Sequence, residues 1–465
     1  MDSHGFTCQL IGSDIHCKDG HTQDEKQIAL SDVLCVLPQS NKESNHDNKV
    51  PGYNVLFLQG HVEEAGAGSQ KEYHRLESIR TTSSLPPVLS QRLYTGIPPH
   101  LDVSPQNTIH IISSVGSGTG IANSNFHNII KPFFSFLGVT GYEVHETKSD
   151  QSIIDLARSR LLNLARAGVS QTIILLSGDG GLTDIVDVFY SNVDPGIALQ
   201  NLPNIALIPS GTGNAMANSA GLLHHPISAL IALLQGKTIP IPVFRATFSS
   251  GSQYITEEGS GNKPINEPGT VEHQNPRIYG AVVASWGIHA ALVADSDTAE
   301  YRKFGSDRFK MAAKELLFPS SGDETHRYNG IITLTTTDPN TGEKRTTVME
   351  RKEHMYVLAT FVSQLEKGFV ISPDSKALDG RLRFIHFGPM APIEGVNLMS
   401  LAYDNGKHVH NEAVTYTEIE GLRIEFREDF EKWRRVCIDG KIVGVPLDGW
   451  VDVQRETRNL LRLMT

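Results

Sequence analysis

QTIILLSGDGGLTDIVDV, residues 171–188, is the stretch whose reading decides the fold. The apolar run 173–176 reads as a buried strand, and after Ser177-Gly178-Asp179-Gly180-Gly181 the residues Leu182, Ile185, Val186 and Phe189 recur at helical spacing. The glycines therefore lie on a strand-to-helix turn. In an open α/β sheet such turns sit beyond the carboxyl ends of the strands, where glycine lets the backbone approach a phosphate and the next helix offers free N–H groups. Asp179, the lone carboxylate of the turn, would repel a phosphate and is suited to holding a metal or taking a proton. Taken alone, Asp179-Gly180 suits a hairpin turn equally well.

Repetition favours the α/β reading. Residues 108–112 run into Val115-Gly116-Ser117-Gly118-Thr119-Gly120, and residues 205–208 run into Pro209-Ser210-Gly211-Thr212-Gly213-Asn214-Ala215. Three glycine loops converging on one edge of a parallel sheet predict a phosphate site. Between the first two loops, residues 126–137 mark a helix that Pro132 kinks or divides. A strand at 142–147 and a long amphipathic helix at 153–165, ended by Gly168, follow. Helices at 215–220 and 226–234 complete the alternation.

The 465 residues exceed what one hydrophobic core serves, so more than one domain is expected. Residues 1–104 read as an N-terminal extension or small β module, with short strands at 28–30, 33–37 and 53–58, polar loops at 38–51 and 63–73, and a proline-bearing connector at 83–99. Residues 105–240 are expected to form a parallel-sheet α/β nucleotide-binding domain. Residues 241–465 alternate apolar and polar residues, with tight-turn signals at Asn340-Thr341-Gly342 and Asp439-Gly440, and predict a β-sandwich. Within it, 249–276 is nearly free of large apolar residues and predicts a disordered insertion.

The net charge of −11 argues against a nucleic-acid partner. Four cysteines, at 8, 17, 35 and 437, form no zinc-like pair and no dense framework, and read as free thiols in a reducing compartment. No signal peptide is visible in the first thirty residues. The most apolar stretch, 278–294, is interrupted by Ser285, Gly287 and His289 and falls short of the ~20 residues a membrane span needs. The expectation is a cytoplasmic protein with peripheral membrane association. His224-His225 and His408-Val409-His410 have metal-like spacing without a partner set, and read as surface histidines.

Ser177-Gly178-Asp179-Gly180 with Leu182, Asp184 and Val186, followed by Pro209-Ser210-Gly211-Thr212-Gly213-Asn214-Ala215-Met216-Ala217, resembles the catalytic domain of the diacylglycerol kinase and sphingosine kinase superfamily. The resemblance continues through Ser285-Trp286-Gly287, Tyr301-Arg302-Lys303-Phe304-Gly305 with Arg308-Phe309, Ser372-Pro373, Asp379-Gly380 and Asp439-Gly440, so that it covers 105–465. It is more similar to the sphingosine and ceramide kinase branch than to the bacterial lipid kinases. What the resemblance implies is an ATP-dependent lipid kinase using Mg²⁺, reacting in a cleft between an α/β domain and a β-sandwich on a sphingoid long-chain base presented by a membrane. It implies that Ser117, Gly118, Gly120, Thr147, Ser177, Gly178, Gly180, Gly211, Thr212, Gly213 and Asn214 cradle the nucleotide. Asp179 would take the proton of the lipid hydroxyl, Arg302 and Arg308 would grip phosphates, and Asp439 would lie at the nucleotide and metal.

The sequence also departs from the family. Ser114-Val115 stands where Asn-Pro is usual, Gly181 and Asp184 replace threonine and glutamate, and Lys441 stands where glutamate is usual. Val293 and Ala291 occupy positions that are acidic in sphingosine kinases. An ammonium buried without a counter-charge is costly, so Asp295 or Asp297 is expected to serve instead. Otherwise the pocket suits ceramide or diacylglycerol. The three-loop arrangement also resembles NAD kinases, and a non-catalytic lipid or nucleotide binder is a further alternative.

Overall fold

Four successive aliphatic side chains, Ile173, Ile174, Leu175 and Leu176, are fully buried in the strand Ser170–Ser177, as a parallel strand covered on both faces requires. The computed structural model describes residues 6–19, 22, 24–39, 52–65, 69–81, 85–116, 120–265, 275–305 and 307–465. Across the central sheet the order is Thr238–Pro240, Arg462–Met464, Asn204–Pro209, Ser170–Ser177, Asn107–Ser113 and Glu143–Glu146. Every pair is parallel except that of Thr238–Pro240 with Arg462–Met464. The α/β reading of 105–240 stands.

Its boundary needs correcting. The chain's last strand, Arg462–Met464, leaves the second half and inserts beside Asn204–Pro209, with Leu461, Leu463 and Met464 fully buried. The first domain is therefore closed by residues from the far end of the chain. Pro132 does not break its helix: Ala122–Asn125, Phe126–Ile130 and Lys131–Leu137 follow one another without a gap. The turn Phe126–Ile130 is a wider π turn, which accommodates a proline just beyond it, and Gly138 ends the run at φ 75°.

The second half is a β-sandwich of two antiparallel sheets, one of seven strands and one of eight. They meet through Trp286 of Val283–Gly287, whose ring lies edge-on to Phe426 at 5.2 Å and to Tyr328 at 5.7 Å. Its indole N–H donates to Trp433 O at 2.8 Å, so no polar group of this central residue is left unpaired. The expected disordered insertion is contradicted over its described part. Gln253–Thr256 and Gly261–Pro264 form a hairpin that extends the eight-stranded sheet from Lys441–Gly444. Main-chain pairing to an existing edge orders a segment that has few apolar side chains of its own; residues 266–274 lie outside the described residues.

Residues 6–81 contribute a six-stranded sheet ordered Glu25–Ala29, Asp14–Asp19, Phe6–Ile11, Ser69–Thr81, Tyr53–Ala65 and Val33–Pro38. Of the predicted loop at 63–73, residues 63–65 and 69–73 are instead strand, paired as far as Ala65 and Ser69, and 66–68 lie outside the described residues. One face has its own core of Ile15, Cys17, Val33, Val36, Val55 and Phe57, with Leu89 of the helix Pro87–Ser90. Leu34, Leu37, Leu56, Leu58 and Leu76 join the main core, so the module is packed on the body of the protein.

Cys8 and Cys17 stand directly opposite each other across Phe6–Ile11 and Asp14–Asp19 and are disulfide-bonded, which corrects the free-thiol reading for this pair. Cys35 and Cys437 are free and buried. His408, read as a surface histidine, is fully buried. Among the described residues no helix is long and apolar enough to cross a membrane.

Candidate functional site

The second and third glycine loops touch. A methyl group on Gly178 would come within 2.6 Å of Gly213 O, and Gly211 packs against the Gly178 backbone from the other side. Asp179 N–H donates to Gly213 O at 3.1 Å, and Ser210 N–H to Ser177 O at 3.1 Å. These glycines are therefore needed first for loop-to-loop contact. Asn214 closes its own turn by donating to Gly211 O at 2.7 Å and accepting the Gly211 N–H at 3.3 Å. It holds the loop and is not on the cavity wall, where the sequence reading had put it.

Asp179 opens the helix Asp179–Asn192, yet its carboxylate reaches the start of another helix. Oδ2 accepts the Ala215 N–H at 2.7 Å and Oδ1 the Met216 N–H at 3.0 Å. Burial pushes this carboxyl above its ordinary value, and the two amides pull in the opposite direction. The result is an oriented carboxylate with raised basicity, suited to accepting a proton.

A single cavity of about 2300 Å³ runs from these loops into the second half of the chain. Ser114, Thr147, Ser177, Gly178, Asp179, Gly180, Gly211, Thr212 and Gly213 line one end, which brings together most of the predicted nucleotide set. Leu292, Phe309, Met355, Phe387 and Met399 line the other, apolar end. Ser117 and Gly118 lie outside the described residues, as does the side chain of Arg302 at the end of Ala299–Arg302. Gly120 adopts φ 69° but is not part of the wall.

The charged residues are arranged differently from the expectation. Asp295 and Asp297 reach the cavity, but Asp295 Oδ1 is held by Arg435 at 2.8 Å and Asp297 Oδ1 by Arg308 at 3.1 Å. Neither is an uncommitted counter-charge for an amine, and Arg308 meets a carboxylate where a phosphate contact was expected. Its Nε is buried and, among the described residues, has no hydrogen-bond partner. Asp439 lines the cavity too, with Oδ2 accepting the Ala281 N–H at 2.6 Å and Oδ1 those of Val282 and Val283 at 3.0 and 2.6 Å. Burial raises it to about 7 against the pull of these three amides.

An all-protein Mg²⁺ cage at Asp439 does not fit this arrangement. Three of the lone-pair sites on its carboxylate are taken, and among the described residues the cavity holds no set of three acidic, histidine or cysteine groups close enough to share an ion. Asp439 ties the turn after Arg435–Ile438 to the segment before Val283–Gly287.

Lys441 and Asp184, marked in the sequence as departures, meet at the site, where Asp187 and His289, not singled out as functional, join them. Lys441 Nζ lies 2.6 Å from Asp184 Oδ1, so the two departures from the family pattern answer each other. Burial alone would lower this ammonium, but Asp184, Tyr254 and Asp187 outweigh it and hold it above its ordinary value. Asp187 accepts the Tyr279 N–H at 2.9 Å and the Ser191 hydroxyl at 3.3 Å. At the apolar end His289 Nδ1 lies 2.7 Å from Ser285 Oγ, and burial lowers the ring to about 4, so it is neutral at pH 7. Its place three residues after Trp286 was the one available cue.

Residues 108–246 match the sequence model of the diacylglycerol kinase catalytic domain. Sphingosine kinase B of Dictyostelium discoideum is 44% identical over 72 residues, 16% of this chain and 9% of that protein. Sphingoid long-chain bases kinase 1 of Arabidopsis thaliana is 26% identical over 136 residues, 29% of this chain and 17% of that protein. The chain thus spans less than a fifth of the length of either relative. A solved diacylglycerol kinase from Bacillus anthracis str. Sterne, 12% identical, aligns over 78% of this chain and 98% of its own with a TM-score of 0.44. Residues 108–246 thus match a diacylglycerol kinase catalytic domain, and the chain is similar to kinases of the diacylglycerol kinase and sphingosine kinase superfamily.

Proposed function

We propose that the protein is an ATP-dependent lipid kinase that moves the γ-phosphate of ATP to a hydroxyl of a sphingoid long-chain base. The observation that carries this reading is the continuity of one cavity between the glycine loops with Asp179 and an apolar wall that includes Leu292, Phe309, Met355, Phe387 and Met399. Phosphoryl transfer needs positioning and charge stabilisation more than covalent participation by the protein. The backbone of Gly211, Thr212 and Gly213 offers the cradle, and Arg308 on the wall a guanidinium whose Nε has no hydrogen-bond partner among the described residues. As the lipid oxygen bonds to the γ-phosphorus and the bond to the bridging β–γ oxygen breaks, Asp179 takes the hydroxyl proton. The products are ADP and the lipid phosphate. No carboxylate is assigned to a metal ion.

Membrane contact belongs to the same proposal. Phe318 and Tyr403 line the apolar end and are also 45% and 50% exposed, and Ile393 on Pro392–Ser400 is exposed close in sequence to the lining residue Val396. Apolar side chains at a cavity mouth suit uptake of a lipid from a bilayer surface.

For the headgroup, the sphingoid base is supported by the names of the two relatives and by Asp295, whose side chain keeps 31% exposure beside Arg435. A second reading, a neutral ceramide or diacylglycerol, is favoured by Val293 on the wall and by the arginine pairing of both acids. Transfer of labelled γ-phosphate to sphingosine, phytosphingosine, ceramide and diacylglycerol separates them. Label on the bases supports the first reading; label confined to the neutral lipids replaces it with the second.

A further inference from the structure

Away from the cleft, the central sheet carries a polar cluster where an apolar face is expected. His110, in the middle of Asn107–Ser113, is fully buried. The parallel register sets it opposite Glu143 and sets Ile112 opposite His145, so the period-two alternation of strands puts His110, Glu143 and His145 on one face. A buried face of a parallel sheet is ordinarily aliphatic.

The separations among their ligand atoms are specific. His110 Nδ1 lies 3.3 Å from His145 Nε2 and 3.5 Å from Glu143 Oε2, and His145 Nε2 lies 3.6 Å from the same Oε2. A tetrahedral zinc ion with bonds of about 2.0–2.2 Å holds its ligand atoms roughly 3.3–3.6 Å apart. The outer contacts also suit a metal site. His110 Nε2 lies 3.2 Å from Thr108 Oγ1, which fixes the ring so that Nδ1 faces the other two groups. Arg160 holds the second oxygen, Oε1, of Glu143 and leaves Oε2 as the ligand.

We propose that His110, Glu143 and His145 form a three-ligand Zn²⁺ site, with water completing the tetrahedron from the side where His145 and Glu143 are partly exposed. Imidazole and carboxylate ligands in this number are those zinc accepts. The ion clips the edge strand Glu143–Glu146 to Asn107–Ser113. Thr147, next in the chain, donates its N–H to Ser113 O at 3.0 Å and lines the nucleotide end of the cavity, so the clip steadies one wall of that site. It is separate from the carboxylates of the cleft and takes no part in phosphoryl transfer.

The test uses the full chain stripped with a chelator and titrated with ZnCl₂ against a chromophoric competitor, then with CoCl₂ to read the visible absorption of tetrahedral cobalt. One equivalent of zinc and an intense cobalt band are expected. His145→Ala and Glu143→Gln, at partly exposed positions, should fold as the native chain does by circular dichroism. Each should weaken zinc binding more than about 100-fold, since losing even an outer partner of a ligand costs about 10–100-fold, and should abolish the cobalt band. A native chain that binds no zinc, or variants that bind it as tightly as the native chain, would overturn the proposal; the cluster would then be a hydrogen-bonded histidine pair.

Discussion

Replacing Lys441 by methionine removes the ammonium that faces Asp184 while keeping most of the side-chain volume. In the native protein Lys441 Nζ stands 2.6 Å from Asp184 Oδ1, and the two side chains are 27% and 14% exposed. Removing one partner of a buried ion pair costs about 3–5 kcal/mol, because the other charge is left in a poorly solvated place. Partial exposure of Lys441 puts this case at the lower end, about 3 kcal/mol at pH 7. Burial already raises Asp184 and Asp187, and Lys441 is the largest influence opposing it at each. An acid raised in the folded state contributes stability that is complete below its unfolded value, about 3.9, and is lost as pH rises through the folded value. Lys441→Met should therefore recover towards pH 4, relative to the native chain. The double variant Lys441→Met/Asp184→Asn should regain all but about 1 kcal/mol at pH 7. Urea unfolding at several pH values, with the slope compared between variants, measures this. A single variant within 1 kcal/mol of the native chain, or a double variant worse than the single, would refute the argument that this pair substitutes one internal cation for a carboxylate.

The two glycines of Gly178-Asp179-Gly180 should respond oppositely. Gly178→Ala drives a methyl group into Gly213 O and should cost about 1–3 kcal/mol and weaken ATP binding, whereas Gly180→Ala meets nothing within 4 Å and should keep the native unfolding midpoint. Equal midpoints for the two variants would contradict the loop contact. Asp439, raised to about 7, favours the folded state below about pH 4 and loses that advantage as pH rises through 7, so the stability difference between native chain and Asp439→Asn should shrink over this interval. Unfolding midpoints at pH 4.5 and 8 read the sign; a difference that grows with pH would show the carboxyl to be lowered. Arg435→Ala releases Asp295, 2.8 Å away, and should raise the ratio of kcat/KM for sphingosine over ceramide; an unchanged ratio would remove Asp295 from the headgroup site.

What the sequence showed plainly was whatever depended on local period and turn chemistry. The run 173–176, the glycines after it and the helical spacing of Leu182, Ile185 and Phe189 are neighbours in the chain, and they are neighbours in the structure. Features made by distant segments were not legible. Arg462–Met464 is too short and unmarked to announce that it returns to the first sheet, and the hairpin 253–264 is ordered by main-chain pairing, which leaves no apolar signature. Cys8 and Cys17 are set opposite each other by a hairpin register that cysteine spacing alone does not give.

The candidate site divides in the same way. The position of Asp179 followed from its own turn, but the pairing of Asp295 with Arg435 spans 140 residues and that of Asp439 with the 281–283 amides about as far. Attention to histidine spacing fell on His224-His225 and His408-Val409-His410. The ligand-like cluster instead joins His110 to Glu143 and His145 across two adjacent strands, where no linear spacing marks it.

The most direct measurement of the central claim is transfer of labelled γ-phosphate from ATP to sphingosine by the native chain and by Asp179→Asn, with ATP binding measured on both. Asparagine keeps the size of the side chain and an oxygen for the Ala215 or Met216 amide, but it cannot take a proton. The expected result is labelled sphingosine from the native chain, at least a 100-fold loss in the variant, and ATP affinity within about threefold. Turnover in the variant close to that of the native chain would contradict the assignment of Asp179 as the base.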